Sequence, residues 1–204
     1  MEIIGRPALV VIDMQNGFCA PEGFMARIGL DVSAGAAVMP AITRLIGIAR
    51  AAGMPIFYTR YSLNEDYSDA GLLLESFPPI QGTGGLVRGS WDAALLDELA
   101  PLEDEVVIDK TRQSAFYGTD LEERLRGLGV ESLIFCGVTT NMCVESSVRD
   151  AYARDLRVTV VSDASAAPSP ELHQAALTSF VYGFGPDPIA TVDEIEGALA
   201  AAAR

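Results

Sequence analysis

The sequence predicts a three-layer α/β/α, doubly wound domain built on a mostly parallel six-stranded sheet in the order 3-2-1-4-5-6. Three observations predict it. Short apolar runs alternate with helical patterns from end to end, as βαβ units require. The runs are continuously apolar, Ala8-Leu9-Val10-Val11-Ile12 and Leu133-Ile134-Phe135-Cys136 among them, so they read as strands buried on both faces. The length of 204 residues suits one domain, residues 1–204, with no linker or internal repeat and with room for a core that needs no disulfide or metal.

Strand one is Ala8–Ile12. Val38–Ala52 sets Val38, Ile42, Leu45, Ile46 and Ala49 at helical spacing and stops at Gly53, a residue suited to a helix C-terminus. Strand two is Met54–Thr59. Residues 62–90 are rich in Gly, Pro, Ser and acidic side chains and read as an irregular lid, binding loop or interface element. Trp91–Leu99 reads as a short helix stopped before Pro101, and Val106–Ile108 as strand three. Asp120–Leu128 is a helix with Thr119 as N-cap, Glu122 and Glu123 in its first turn and Gly129 after it. Strand four, Leu133–Cys136, leads into a helix over Asn141–Ala153. Val158–Val161 is strand five. Ser169-Pro170 opens a helix that runs to Tyr182, with serine as cap and proline at the first helical position. Ile189–Val192 reads as an edge strand and Asp193–Ala203 as a closing helix.

Composition narrows the function. Half the residues are hydrophobic and 21% are charged, which excludes intrinsic disorder. A formal net charge of −14 disfavours nucleic acid and anionic membrane surfaces as partners. No apolar run reaches the roughly 20 residues of a membrane span. Met1–Pro7 lacks the pattern of a signal peptide. Cys19, Cys136 and Cys143 are odd in number and form no CxxC, as expected of reduced thiols in the cytoplasm. GxGxxG and GxxxxGK[ST] are both absent, and Gly82-Thr83-Gly84-Gly85 lies in the irregular stretch instead of between a strand and a helix.

In an open parallel sheet, ligands bind beyond the carboxyl ends of the strands. Strand one ends in Asp13, strand three in Asp109-Lys110, and strand four in Gly137-Val138-Thr139-Thr140-Asn141-Met142-Cys143. Strand three lies two positions from strand one, about 10 Å away at about 4.8 Å per strand, a gap that lysine can span. Cys143 at a helix start is expected to have a lowered pKa, lowered further by Lys110, with Asp13 placed to move its proton. Cys136 sits within a strand and reads as core, and Cys19 as filler. His173 is the only histidine and reads as a surface or helix-packing residue. With no GxSxG, this disfavours a histidine-dependent hydrolase.

Three segments resemble, in order, the motifs of the isochorismatase-like cysteine hydrolases: Leu9-Val10-Val11-Ile12-Asp13-Met14-Gln15-Asn16-Gly17-Phe18, the stretch from Lys110 to Leu121, and the stretch from Gly137 to Ala151. The resemblance implies a triad of Cys143, Asp13 and Lys110. It implies a non-proline cis peptide between Val138 and Thr139, and an oxyanion hole made by the N–H groups of Thr139 and Cys143. It also implies hydrolysis of an amide or N-carbamoyl compound through a thioester with release of ammonia, no cofactor, and a homodimer or homotetramer. The nucleophile segment looks closest to the branch acting on N-carbamoyl and ureido compounds. This chain has Gly17 where many relatives have Asp, and Gln113 where many of that branch have Tyr. Phe18, Tyr61, Gln113 and Phe116 are the expected pocket walls. Tyr61-Ser62-Leu63-Asn64-Glu65-Asp66 lacks the histidines of metal-binding nicotinamidases, so no metal is expected. The isochorismatases proper lack the nucleophilic cysteine. A nicotinamidase-type hydrolase and a non-catalytic, partner-binding protein of this fold are the alternatives.

Overall fold

In the computed structural model, which describes residues 3–185 and 188–202, the apolar runs assemble into one sheet. Its strands are β1 (Pro7–Ile12), β2 (Ile56–Tyr61), β3 (Val106–Lys110), β4 (Ser132–Val138), β5 (Arg157–Ala166) and β6 (Ile189–Ala190). Their order is β3-β2-β1-β4-β5-β6 and every pairing is parallel. The order reverses between β1 and β4, where Ile12 stands beside Gly137.

The alternation within β1 shows why it reads as doubly buried. Leu9 and Val11 join the cluster containing Ile42, Leu45 and Ile195, from the helices Met39–Ala51 and Val192–Ala202. Ala8, Val10 and Ile12 join the cluster containing Leu121, Val148 and Phe180, from the helices Leu121–Gly127, Glu145–Tyr152 and Pro170–Gly183. All five are fully buried, and full burial stabilises a Val, Leu or Ile side chain by about 1.5–3 kcal/mol. The helix boundaries follow their caps. Gly53 takes a left-handed φ of 63° after Met39–Ala51, and Ser169 Oγ accepts the Leu172 N–H at 3.3 Å.

Several expectations need correction. Trp91–Leu99 is not a helix: only Asp97–Leu99 forms a 3-10 turn. Its backbone is committed to the chain after β1, with Asn16 N–H on Ala94 O, Gly17 N–H on Asp92 O and Leu96 N–H on Met14 O. The helix expected from Asn141 begins as a π-type turn over Thr140–Val144. Strand β5 is much longer than its apolar centre. The helix Leu121–Gly127 starts one residue late, although Thr119 Oγ1 still accepts the Leu121 N–H. The Ala203 end of the closing helix lies outside the described residues. Residues 62–90 contain short helices at Leu73–Ser76 and Pro79–Thr83 and their own apolar cluster of Leu63, Tyr67, Ala70, Ile80 and Leu86 against Phe24.

Gly137 is required by the fold at the switch point. It has φ 111°, and a Cβ there would collide with the carbonyl oxygen of Ile12. The β4–β5 register also shifts between Phe135 and Gly137.

Candidate active site

The carboxyl ends of β1, β3 and β4 deliver three reactive groups to one point. Asp13 follows β1 with a left-handed φ of 49°, a conformation that aspartate tolerates better than most residues. The turn aims its carboxylate across the sheet edge. Lys110 ends β3 beside Tyr61 of β2 and reaches Asp13 Oδ2 at 2.6 Å. The Lys110 ammonium also donates to Arg112 O at 3.0 Å and stands 4.4 Å from the centre of the Tyr61 ring. The charges of Asp13 and Lys110 both act on the Cys143 thiol. Lys110 and Asp13 are buried, while Cys143 keeps 8% of its surface exposed and lines a cavity.

The sequence prompted an expectation of a lowered Cys143 pKa, and the structure reverses it. Burial pushes the thiol up to about 12; Lys110 pulls it down, and Asp13 pushes it up again. At neutral pH the resting sulfur therefore carries its proton, held beside a carboxylate able to take it. Burial by itself pulls the Lys110 ammonium down, but Asp13 and Cys143 outweigh it and hold the group above its ordinary value. Cys136 and Cys19 are buried thiols pushed upward mainly by desolvation.

The Val138–Thr139 peptide is cis. The Thr139 carbonyl accepts from Met142 and Val144 N–H at 3.0 and 3.2 Å, skipping Cys143. Val138, Thr139 and Cys143 all line the cavity, as do Phe18, Tyr61 and Gln113. The Gln113 carboxamide makes no hydrogen bond among the described residues. Phe116, expected as a wall, is not one. It lies in the helix-side cluster with Phe57, Leu121 and Leu125, and the Arg154 guanidinium stands 4.9 Å from its ring centre. The local backbone turns it away: Ala115 N–H donates to Ser147 Oγ at 3.0 Å, and Thr119 Oγ1 donates to Ala115 O at 2.6 Å. His173 packs its helix onto the Thr140–Val144 turn, with Nδ1 2.8 Å from Thr140 Oγ1. Burial lowers its pKa.

Two positioning residues escaped the sequence reading. Thr59 Oγ1 donates to Asp13 Oδ1 at 2.6 Å and accepts the Asp13 N–H at 3.1 Å, which fixes the carboxylate from β2. Its signal was present: a polar side chain at the carboxyl end of an apolar strand. Gln15, fully buried, accepts the Tyr61 N–H at 2.7 Å and donates to the Tyr61 and Ala93 carbonyls, each at 2.9 Å. Nothing local marks it, because its partners lie 46 and 78 residues along the chain.

No group of three or more His, Cys, Asp or Glu placed to hold a metal ion occurs among the described residues. No helix among them is long and apolar enough to cross a membrane.

The parallel sheet, with a thiol, a carboxylate and an ammonium near its switch point, has the isochorismatase-like hydrolase fold. The chain belongs to the isochorismatase family, whose domain model matches residues 7–191. It is 38% identical over 190 residues to the ureidoacrylate amidohydrolase RutB of Methylobacterium radiotolerans, covering 87% of this chain and 74% of that protein. The crystal structure of a cysteine hydrolase from Pseudomonas syringae pv. phaseolicola 1448A superposes with a TM-score of 0.87 at 32% identity, covering 97% of this chain and 93% of that one. An N-carbamoylsarcosine amidase from Thermoplasma acidophilum gives a TM-score of 0.74 at 28% identity, over 95% of this chain and 100% of that one.

Proposed function

We propose that this hydrolase of carbon–nitrogen bonds other than peptide bonds acts through Cys143 on a small amide or ureide, forming a thioester and releasing ammonia. The observation that carries the proposal is one cavity-lining thiol within the electrostatic reach of a buried carboxylate–ammonium pair.

The chemistry follows from the resting protonation state. Asp13 takes the thiol proton as the sulfur attacks the substrate carbonyl, so the bare thiolate need not accumulate. The N–H groups of Thr139 and Cys143 receive the tetrahedral oxyanion. Asp13 returns the proton to the leaving nitrogen, the C–N bond breaks, and ammonia departs. Water then attacks the thioester with Asp13 accepting its proton, the sulfur is reprotonated, and a carboxylate or carbamate leaves. Lys110 keeps Asp13 oriented throughout, and Thr59 holds its other oxygen. Residues 1–204 act as one domain, with the 62–90 stretch walling the cavity. The buried free thiols suit a reducing cytoplasm.

The test is ammonia release from a panel of primary amides and N-carbamoyl compounds, with intact-mass detection of an acyl adduct on Cys143 in acid-quenched samples. Wild-type turnover and an adduct are expected, and Cys143→Ala should abolish both. Turnover that survives Cys143→Ala would defeat the thioester route.

A further inference from the structure

The cavity in front of Cys143 is walled by Phe24, Leu30, Leu73, Phe77, Ile80 and Leu86, all from segments 24–30 and 62–90. Its charged lining residues are Asp13 and Asp31, both acidic. Lys110 stands behind Asp13, fully buried and already paired. The other nearby cations do not line the cavity. Arg112 borders an adjoining depression, but its Nη1 is donated to the carbonyls of Asp69 and Thr111. Arg27 is paired with Asp92. An anionic substituent would enter an apolar chamber lined by two acids and by no lysine or arginine, on a chain of net charge −14.

We propose that the substrate carries an uncharged, apolar substituent on the amide or ureide, and that this site discriminates against carboxylate-bearing compounds such as ureido acids. The inference rests on the hydrolytic reading above for the position of the scissile bond, and on the wall chemistry for the rest. The cavity measures about 120 Å³, the space open to the centre of a water molecule. An apolar cavity of roughly 150 Å³ accepts benzene, so a branched alkyl chain or a single ring is the size that fits. Gln113, with its free carboxamide at the rim, is the polar group available to the ureide or amide head.

Matched isosteres test this. 4-Methylpentanamide and succinamate differ only by isopropyl for carboxylate, as do N-(3-methylbutyl)urea and 3-ureidopropionate. The apolar member of each pair is expected to have at least a 100-fold higher kcat/KM. At about 4-fold per buried methylene, 3-methylbutanamide, three carbons larger, should exceed acetamide by about 60-fold. Leu30→Arg places a cation at a partly exposed wall position and should shift the apolar-to-anionic ratio toward the anion by at least 10-fold. Calorimetric binding of the same pairs to Cys143→Ala separates the two claims. Preference for the apolar members without turnover by wild type would refute the hydrolytic reading and leave this inference standing. Preference for an anionic member, or no binding by either, would overturn the inference.

Discussion

Replacing Lys110 with methionine removes an ammonium 2.6 Å from a carboxylate, at a place where the two side chains are 0% and 1% exposed. At an effective dielectric constant of about 20, unit charges at that separation attract by about 6 kcal/mol. Against this stands the loss of several kcal/mol of hydration by each ion, so the pair adds little net stability while either member left alone is costly. Lys110→Met is therefore expected to destabilise the fold by about 3–5 kcal/mol. Asp13→Asn should cost a similar amount, since it orphans the ammonium. The double variant leaves no ion unpaired and should cost at least about 2 kcal/mol less than the sum of the singles. Urea unfolding of the four proteins, followed by far-ultraviolet circular dichroism at pH 7, completes the cycle. Single effects that add to within about 0.5 kcal/mol would refute the coupling inferred from the geometry.

Stability should also fall in alkali. The folded chain holds the Cys19 and Cys143 protons to about pH 12, whereas an unfolded thiol releases its proton near 9.0. The unfolded state then binds fewer protons, so this stabilisation is complete below about pH 9 and is lost as pH rises toward 12, by about 1.4 kcal/mol per pH unit for each thiol. Urea midpoints that stay flat from pH 8 to 10.5 would contradict the burial argument, and Cys143→Ala should flatten the slope by one thiol's share. Phe116→Ala should cost about 3–5 kcal/mol of stability with KM unchanged, because the ring is core. Phe18→Ala, which removes a ring packed edge-on to Tyr61 at 6.4 Å, should lower kcat/KM about tenfold with little loss of stability, and the opposite pattern in melting and kinetic assays would exchange their assignments. His173→Ala loses one bond to Thr140 and should cost about 1 kcal/mol with turnover changed less than fivefold. A loss above 100-fold would count against Asp13 as the proton carrier.

The sheet was legible because its determinants are local. Each strand is built on an apolar run, a helix separates β1 from β2 and β4 from β5, and right-handed winding leaves few possible orders. Asp13, Lys110 and Cys143 were legible for the same reason, since each closes or follows such a run. Trp91–Leu99 misled because its apolar spacing suits a helix, while its backbone is spent on Met14, Asn16 and Gly17, far away in sequence. Phe116 misled because adjacency to a motif does not say which way a tight turn throws a side chain. The protonation of Cys143 was misjudged for a deeper reason. Helix position and a neighbouring lysine are visible in sequence, but the desolvation that outweighs them exists only once the folded chain has buried the sulfur.

The chain has 14 basic residues of the Lys and Arg type, and Lys110 is its only lysine. The surface ion pairs of the described residues all use arginine, whose planar fork suits exposed carboxylates such as Asp109 and Glu145. At the sheet edge the demand is different. One cation pairs with Asp13 Oδ2 at 2.6 Å, donates to the Arg112 carbonyl at 3.0 Å and acts on the Cys143 thiol from a fully buried side chain. The three donors of an ammonium can point to three such partners, whereas the coplanar N–H groups of a guanidinium cannot, and its extra bulk has no room in a site with no exposed surface. Lys110→Arg keeps the charge and is nonetheless expected to lower kcat by at least 100-fold, with the folded state recovered better than in Lys110→Met. Should Lys110→Arg turn over within tenfold of wild type, charge alone would suffice, and the directional role assigned to the ammonium would be wrong.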